Sequence, residues 1–342
     1  MSKKTNPPSL EQWKRLYELM DEIRELAPWE FMYEDDIFGV QFPGTDNLGF
    51  VSVMGSLGEH LAIAVYIGKK GLEGFLAMEE MGDSLPADVV LQVPQIQAAF
   101  EDRELITPED RKIMKQLNLK FRGAKAWPQF RSFRSACVPW YLEREEAQML
   151  IHGLEQLMDV APRFENDPDL LEPSEPDGKY LVRVHENKKW VDSSQKIRFP
   201  ADPPLQLKIN IDALNALKSM SKQNSIVEID IRMLEEALRD EEFDRPFFPF
   251  MLMLAEKQSH MILGVDLLPP LPSLEEMWEL IPAKVTEVLA NYLLPKELQT
   301  KNPMIALLLS PLEKELGLKV NLVSRLPTIE HAQREFKRFT RH

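Results

Sequence analysis

Cysteine is almost absent: Cys137 stands alone in 342 residues, so no intramolecular disulfide can form. The opening MSKKTNPPSLEQW has lysines but no apolar stretch behind them, so it lacks a secretory pattern. Together these predict a cytoplasmic protein. Long apolar runs are missing too. The longest, FFPFMLMLA at Phe247–Ala255, has nine residues, where a membrane span needs about 20, so no membrane partner is expected. Histidine is sparse. His60, His152, His185, His260, His331 and His342 are scattered, none four residues from another and none at ligand spacing from Cys137. That excludes the usual structural zinc patterns, and no metal ligand or cofactor is assigned.

Catalytic signatures are also lacking. There is no GxxxxGK[ST] loop, and Gly55 and Gly58 fall between expected strands, away from any helix N-terminus that could receive an anion. No GxSxG elbow occurs, and Cys137, within SACVPW, reads as packed, not reactive. The triplet Glu34-Asp35-Asp36 is a cation candidate by composition, although loop acids are usually solvated. These absences favour a protein without a catalytic site.

What the chain has in quantity is negative charge, 55 Asp and Glu against 41 Lys and Arg, a formal net charge of -14. Residues 1–172 hold 18 basic and 30 acidic residues, a net of -12, which leaves -2 for the remainder. Such a surface repels phosphate backbones, so any nucleic-acid contact has to be local. One segment departs from this balance. Residues 111–134 contain eight basic residues and no acid, interleaved with Phe121, Trp127, Phe130 and Phe133. Lys120, Arg122, Lys125, Trp127, Arg131 and Arg134 form the candidate ligand- or partner-binding set. Their cations and rings suit a protein partner, a small anionic ligand bound bidentately, or stacked nucleic-acid bases. The competing reading is that the rings are core and the cations pair with the domain's own acids. Trp127-Pro128 and Val138-Pro139-Trp140 look like rigid, buried turns.

Periodicity gives the organisation. Ser9 and Gln12 have capping-box spacing before a helix whose apolar face is Leu10, Trp13, Leu16, Tyr17, Met20, Ile23 and Leu26. DIFGVQF, GFVSVMG and LAIAVYIG read as an antiparallel meander, followed by helices over 70–81, from Thr107, and over 142–160. The segment 162–178, with four prolines and six carboxylates, reads as a linker. The expected domains are therefore 1–161 and 179–342, joined by 162–178. Beyond the linker, YLVRV, LQLKINI and IVEIDI alternate as strands, and FMLMLA and HMILGVDLL form a hairpin whose first strand is central. Ser273 caps a helix that Pro282 splits, strands follow at Glu297–Thr300 and LKVNLVS, and Ser310-Pro311 restarts the helix between them. A last helix sets Arg334, Lys337, Arg338 and Arg341 opposite Ile329, Ala332, Phe336 and Phe339, which reads as cations at a helix C-terminus.

The fold class is thus α+β, two mixed α/β domains. From residue 245 the order hairpin, helix, strand, helix, strand, helix resembles a degenerate ribonuclease H-like arrangement, with a third hairpin strand not visible. Catalysis on that scaffold needs clustered carboxylates to hold metal ions. The expected first strand offers Phe, Met, Leu and Ala, Lys301 stands at the later strand end, and only Glu276 or Glu279 could serve on the helix.

Taken together, KFRGAKAWPQFRSF, VPWYLEREEAQ, RPFFPFMLMLAEKQSHMILG, PKELQ and LLLSPLEKELGLKVNLVSRLPTIEHA resemble, in matching order, a family of uncharacterised bacterial two-domain proteins. Two departures are Ala136-Cys137, where the family pattern has Pro-Gly, and Lys301, where it has an acid. The resemblance implies a bacterial, cytosolic, two-domain protein and supplies no activity. The reading is a non-catalytic binding or interaction module that recognises a protein or anionic ligand. The alternatives are a nucleic-acid-associated protein on a degenerate ribonuclease H-like scaffold, and a hydrolase with a carboxylate metal site.

Overall fold

The first helix, α1 (Leu10–Leu26), is set by its ends. The Ser9 side chain accepts from the Gln12 amide and the Gln12 side chain accepts from the Ser9 amide, and Ala27 closes the helix in the left-handed region (φ 48°). This computed structural model describes residues 6–81, 93–172, 178–199, 201–240 and 243–339, with side chains as far as 335. The compact units are Met1–Ala201 with Asp240–Arg245, and Asp202–Arg239 with Pro246–His342.

In the first unit the expected meander is present as β1 (Phe38–Gln41), β2 (Leu48–Met54) and β3 (Ala62–Ile67), antiparallel throughout. Helix α2 (Gly68–Met81) follows, then β4 (Gln95–Glu101), α3 (Pro108–Gln116), β5 (Trp127–Phe133) and α4 (Arg144–Asn166). Strands β6 (Lys179–Glu186) and β7 (Lys189–Lys196) complete a seven-stranded sheet in the order β5-β4-β3-β2-β1-β6-β7. Its one parallel pairing is β1 with β6. Helices α1 and α4 supply one core, in which Leu16, Leu19, Met20, Ile23, Leu150, Leu154 and Leu157 are fully buried. Gly153 lets α4 approach closely, since a Cβ there would lie 2.8 Å from Val65 Cγ2. A smaller cluster of Phe50, Tyr66, Leu72 and Phe75 packs α2 against the sheet.

Two features of the first unit differ from the sequence expectation. The segment expected as a linker, 162–178, does not separate the units. Helix α4 runs through Pro162, and buried Phe164 and Leu171 hold the chain beyond it. Strands β6 and β7 then pair onto β1, whose outer edge would otherwise leave its amides and carbonyls open. Residues 173–177 of that segment lie outside the described residues. Trp127-Pro128 is also not a turn: these residues open β5, the edge strand, and an edge is where a sheet tolerates a proline.

The second unit holds α5 (Ile211–Ser219), β8 (Lys222–Met233), β9 (Phe250–Glu256), β10 (Ile262–Leu268), α6 (Leu274–Glu279), α7 (Ile281–Ala290), β11 (Leu294–Thr300), α8 (Pro303–Leu316), β12 (Lys319–Leu322) and α9 (Pro327–Phe339). The sheet order is β10-β9-β8-β11-β12. Strands β8, β9 and β10 form an antiparallel meander, while β11 runs parallel to both β8 and β12. Strand β9 is interior and buried along its whole length, as its two apolar faces implied.

Three local expectations are corrected. LQLKINI is irregular through 210, because the Asn210 side chain caps α5 instead. Helix α8 continues through Pro311 without a restart and ends at Gly317 in the left-handed region. The first meander strand is β8, not β9, so it carries Glu228 and Asp230. Leu154→Ala, at the centre of the α1–α4 core, is expected to cost about 2–5 kcal/mol. A lowered urea midpoint at unchanged slope measures it, and an unchanged midpoint contradicts this packing.

Candidate functional site

Strand β5 pairs along its length with β4, with Arg131 opposite Gln97 and Trp127 opposite Glu101. Ser132 is also bridged to Trp140, each amide donating to the other's carbonyl (2.8 and 3.0 Å). Its residues alternate: Pro128, Phe130 and Ser132 are buried, while Trp127, Gln129, Arg131 and Phe133 are half-buried. Phe130 meets the ring of Tyr17 edge-on at 5.2 Å and Trp13 at 5.8 Å, so an aromatic contact fastens the strand to α1.

The Arg131 guanidinium donates to Asp110 Oδ1 (3.0 Å) and Oδ2 (2.6 Å) and to the Phe130 carbonyl (2.7 Å). It also lies 4.9 Å from the centre of the Tyr141 ring. Asp110 is itself the third residue of α3, where it accepts from the amide (3.2 Å) and hydroxyl (2.8 Å) of the capping Thr107. The Tyr141 hydroxyl donates to Thr107 Oγ1 (3.0 Å) or Glu109 (3.1 Å). One carboxylate thus serves both the edge strand and the helix cap. Burial, followed by the Asp110 charge, raises the pKa of the Tyr17 phenol.

Arg134 binds Glu146 through Nη2 (2.8 Å) and Nε (3.2 Å), and Glu143 at 2.7 Å. Ser132 Oγ donates to Glu146 Oε1 (2.7 Å) and accepts from Arg245 Nη2 (2.9 Å), whose Nη1 reaches the Ser132 carbonyl (3.1 Å). Residues 240–245 belong to the first unit, and Arg245 is their anchor. Burial and then the neighbouring Arg134 charge pull the pKa of Arg245 down to about 10. Cys137 is buried beside these cations, and burial pushes its thiol up despite them.

Lys125 is engaged at both ends. Its amide, in the left-handed region (φ 44°), donates to Asp102 Oδ1 (2.8 Å), and its ammonium donates to the carbonyls of Gly58 and Glu59. Trp127 packs on Phe121 at 5.9 Å, and Arg103 approaches its ring at 5.9 Å. Lys120 and Arg122 differ from the rest of the set. Both are exposed, and among the described residues neither has a hydrogen-bond or ion-pair partner. Phe121, between them, stacks on Tyr17 at 5.8 Å, while Arg24 holds the Ala126 carbonyl at 2.7 Å. The six sequence-selected residues therefore fall into three internally committed cations, one packed ring and two uncommitted cations.

The carboxylates considered for metal chemistry lie apart. Among the described residues, no group of three or more His, Cys, Asp or Glu could hold a metal ion. The Glu279 side chain accepts from the Gln206 amide (2.7 Å), and Lys301 lies 3.7 Å from Glu330. Burial, then Asp35 and Glu34, raises the pKa of Glu79, which places α2 near the acidic triplet. Glu228, which the sequence reading did not select, is fully buried. Its Oε2 accepts from the amides of Thr328 (2.9 Å) and Ile329 (3.1 Å) at the start of α9, and Asp230 accepts from Gln333 (3.1 Å). On α9 itself, Arg334 bonds the Glu330 carbonyl. The side chains of Phe336, Lys337, Arg338 and Phe339, and all of Arg341, lie outside the described residues.

With this geometry in place, comparison with known families becomes informative. A family model described as Domain of unknown function (DUF7309) matches residues 13–183. The chain belongs to this family. A second, described as Domain of unknown function (DUF6930), matches residues 213–337, so the chain has two family domains in sequence. Comparison with curated proteins finds no match. The DUF7309 match ends inside β6, which agrees with the inclusion of that strand in the first sheet.

Within the DUF7309 portion, Glu146 supplies a test by pH. Burial raises its pKa, but Arg134, the Glu143 amide and Ser132 outweigh burial and hold it below the usual 4.5. A depressed folded value contributes stability that is present above pH 4.5 and is lost as pH falls through the folded value. Glu146→Gln is therefore expected to flatten the acid limb of stability against pH below 4.5. Unfolding midpoints measured across that range check this, and an acid limb identical to wild type contradicts it.

Proposed function

We propose that this protein is a non-catalytic binding module whose first unit recognises a carboxylate- or phosphate-bearing ligand through Lys120 and Arg122. The observation that carries the reading is the division of the basic segment. Arg131, Arg134 and Lys125 spend their donors on Asp110, Glu143, Glu146 and backbone carbonyls. Lys120 and Arg122 do not, yet they sit on a stretch fixed by Phe121, Ala126 and the Lys125 amide. Fixing the backbone before binding lowers the entropy lost on capture, and two exposed cations flanking one packed ring suit an anionic group with several acceptor oxygens. We place the protein in the cytoplasm, from its cysteine content.

The second unit supports the non-catalytic part. Its strand order, an antiparallel three-strand meander followed by two parallel strands reached through helices, resembles the ribonuclease H-like arrangement. On its first strand Glu228 Oε2 and Asp230 accept from α9, Glu228 Oε1 is buried without a hydrogen-bond partner among the described residues, and Lys301 follows the last residue of β11. A shared scaffold carries no activity by itself.

The test is a titration followed through the backbone amide resonances of 119–126, using inorganic phosphate, an acetylated oligoglutamate and a single-stranded oligonucleotide. Saturable shifts with phosphate or oligoglutamate, lost in Lys120→Glu/Arg122→Glu, are expected. Shifts confined to the oligonucleotide, weakening with salt, replace the reading with a nucleic-acid one. No shift, or binding unchanged in the double variant, overturns it.

A further inference from the structure

A cavity of about 470 Å³ opens on the first unit between the turn after α1 and the turn joining β2 to β3. Its lining is Trp29, Glu30, Met32 and Tyr33 from one side and Gly55, Ser56, Gly58 and Leu61 from the other. The volume lies in the range of small-molecule sites, about 300–1,000 Å³. None of the lining residues is basic, and nothing in the reading at Lys120 and Arg122 uses them.

Both walls are held in place before any ligand arrives. On the first, left-handed Ala27 turns the chain into the 3-10 turn Pro28–Glu30, and Met32 is buried below it. Trp29 meets Phe100 edge-on at 5.8 Å, and Phe100 is covered by Arg24 at 4.5 Å. The Tyr33 amide donates to Asp36 (2.7 Å), which leaves the Tyr33 ring 63% exposed beside the opening. On the second wall, Gly55 adopts φ +120°, and a Cβ there would lie 2.8 Å from Leu61 and 2.9 Å from the His60 carbonyl. Gly58 donates to the Gly55 carbonyl (2.8 Å) and closes the turn.

The chemistry of the lining selects the ligand. The lining includes two electron-rich rings, Trp29 and Tyr33, and one carboxylate, Glu30, groups that attract a cation, while Met32 and Leu61 suit an apolar stem. An anion meets Glu30 in the lining, with Glu34 and Asp35 exposed just after it and Glu59 beside Gly58. The Lys125 ammonium, beside Gly58, is tied to the carbonyls of Gly58 and Glu59. We infer that this cavity is a binding site for a small organic ammonium ion, held by the rings of Trp29 and Tyr33 and the carboxylate of Glu30.

The experiment uses the full chain and three probes: choline, butylammonium, and dimethylbutanol, the uncharged carbon isostere of choline. Binding is read from the Trp29 indole and the Gly55 and Gly58 amide resonances. The expected result is saturable shifts with an ammonium probe and none with dimethylbutanol at the same concentration. Glu30→Gln should weaken the ammonium about tenfold, or about 1.4 kcal/mol, and Tyr33→Ala should also weaken it. Both side chains are exposed, so unchanged urea midpoints are expected to show that the variants fold. The Lys120→Glu/Arg122→Glu variant should bind the ammonium as wild type does, which separates this site from the anion reading. Equal shifts with dimethylbutanol, no shift with either ammonium, or an affinity unchanged in Glu30→Gln would overturn the inference.

Discussion

Strand β5 closes one end of the first sheet, and an edge strand with cations on it has two fates. It can present them to a partner, or spend them on its own domain. The bidentate contact of Arg131 with Asp110 decides for the second. Because Asp110 also completes the cap of α3, the same carboxylate orients the helix, the strand edge and the Tyr141 ring. Both partners are largely buried, with side-chain exposures of 12% and 7%, so removing either leaves a poorly hydrated charge. Arg134, the residue just after β5, repeats the device with Glu143 and Glu146, and Ser132 connects it to Arg245.

This arrangement shows how an acidic domain accommodates the basic residues of β5. Arg131 and Arg134 turn onto carboxylates that the -12 half of the chain has in excess, and Arg111 and Lys125 turn onto backbone carbonyls. Of the candidate set, Lys120 and Arg122 stay uncommitted on one fixed stretch, and an aromatic, acidic cavity lies elsewhere on the same unit. Opposite ligand charges are assigned to the two places for the same reason, namely which ionic groups the fold leaves uncommitted.

Much of the fold was legible because short-range signals carried it. The Ser9–Gln12 and Thr107–Asp110 boxes, the β1–β3 meander and the split at Pro282 each follow from a few adjacent residues. Long-range pairing was less accessible. Nothing in YLVRV says that it completes an edge left by β1 some 140 residues earlier, and the prolines of 162–178 mimic a linker although Phe164 and Leu171 are buried. LQLKINI alternates like a strand but loses to the cap at Asn210. At the basic segment, the residue types were visible while their partners were not. Asp110 carries no local mark of its pairing with Arg131, and Arg245 lies over a hundred residues from Ser132 with no local mark of its role. The Trp29–Tyr33 cavity had no sequence signature, because half its wall comes from a glycine turn.

The central claim is that β5 spends its charge internally through Arg131 and Asp110, and a double-mutant cycle measures it most directly. Arg131→Met, Asp110→Asn and the double variant are compared with wild type by urea unfolding. Asparagine keeps an acceptor for the Thr107 cap, so the cycle isolates the ionic contact. The account predicts a coupling of about 1–3 kcal/mol. Additive effects, with a coupling inside about 0.3 kcal/mol, would contradict it.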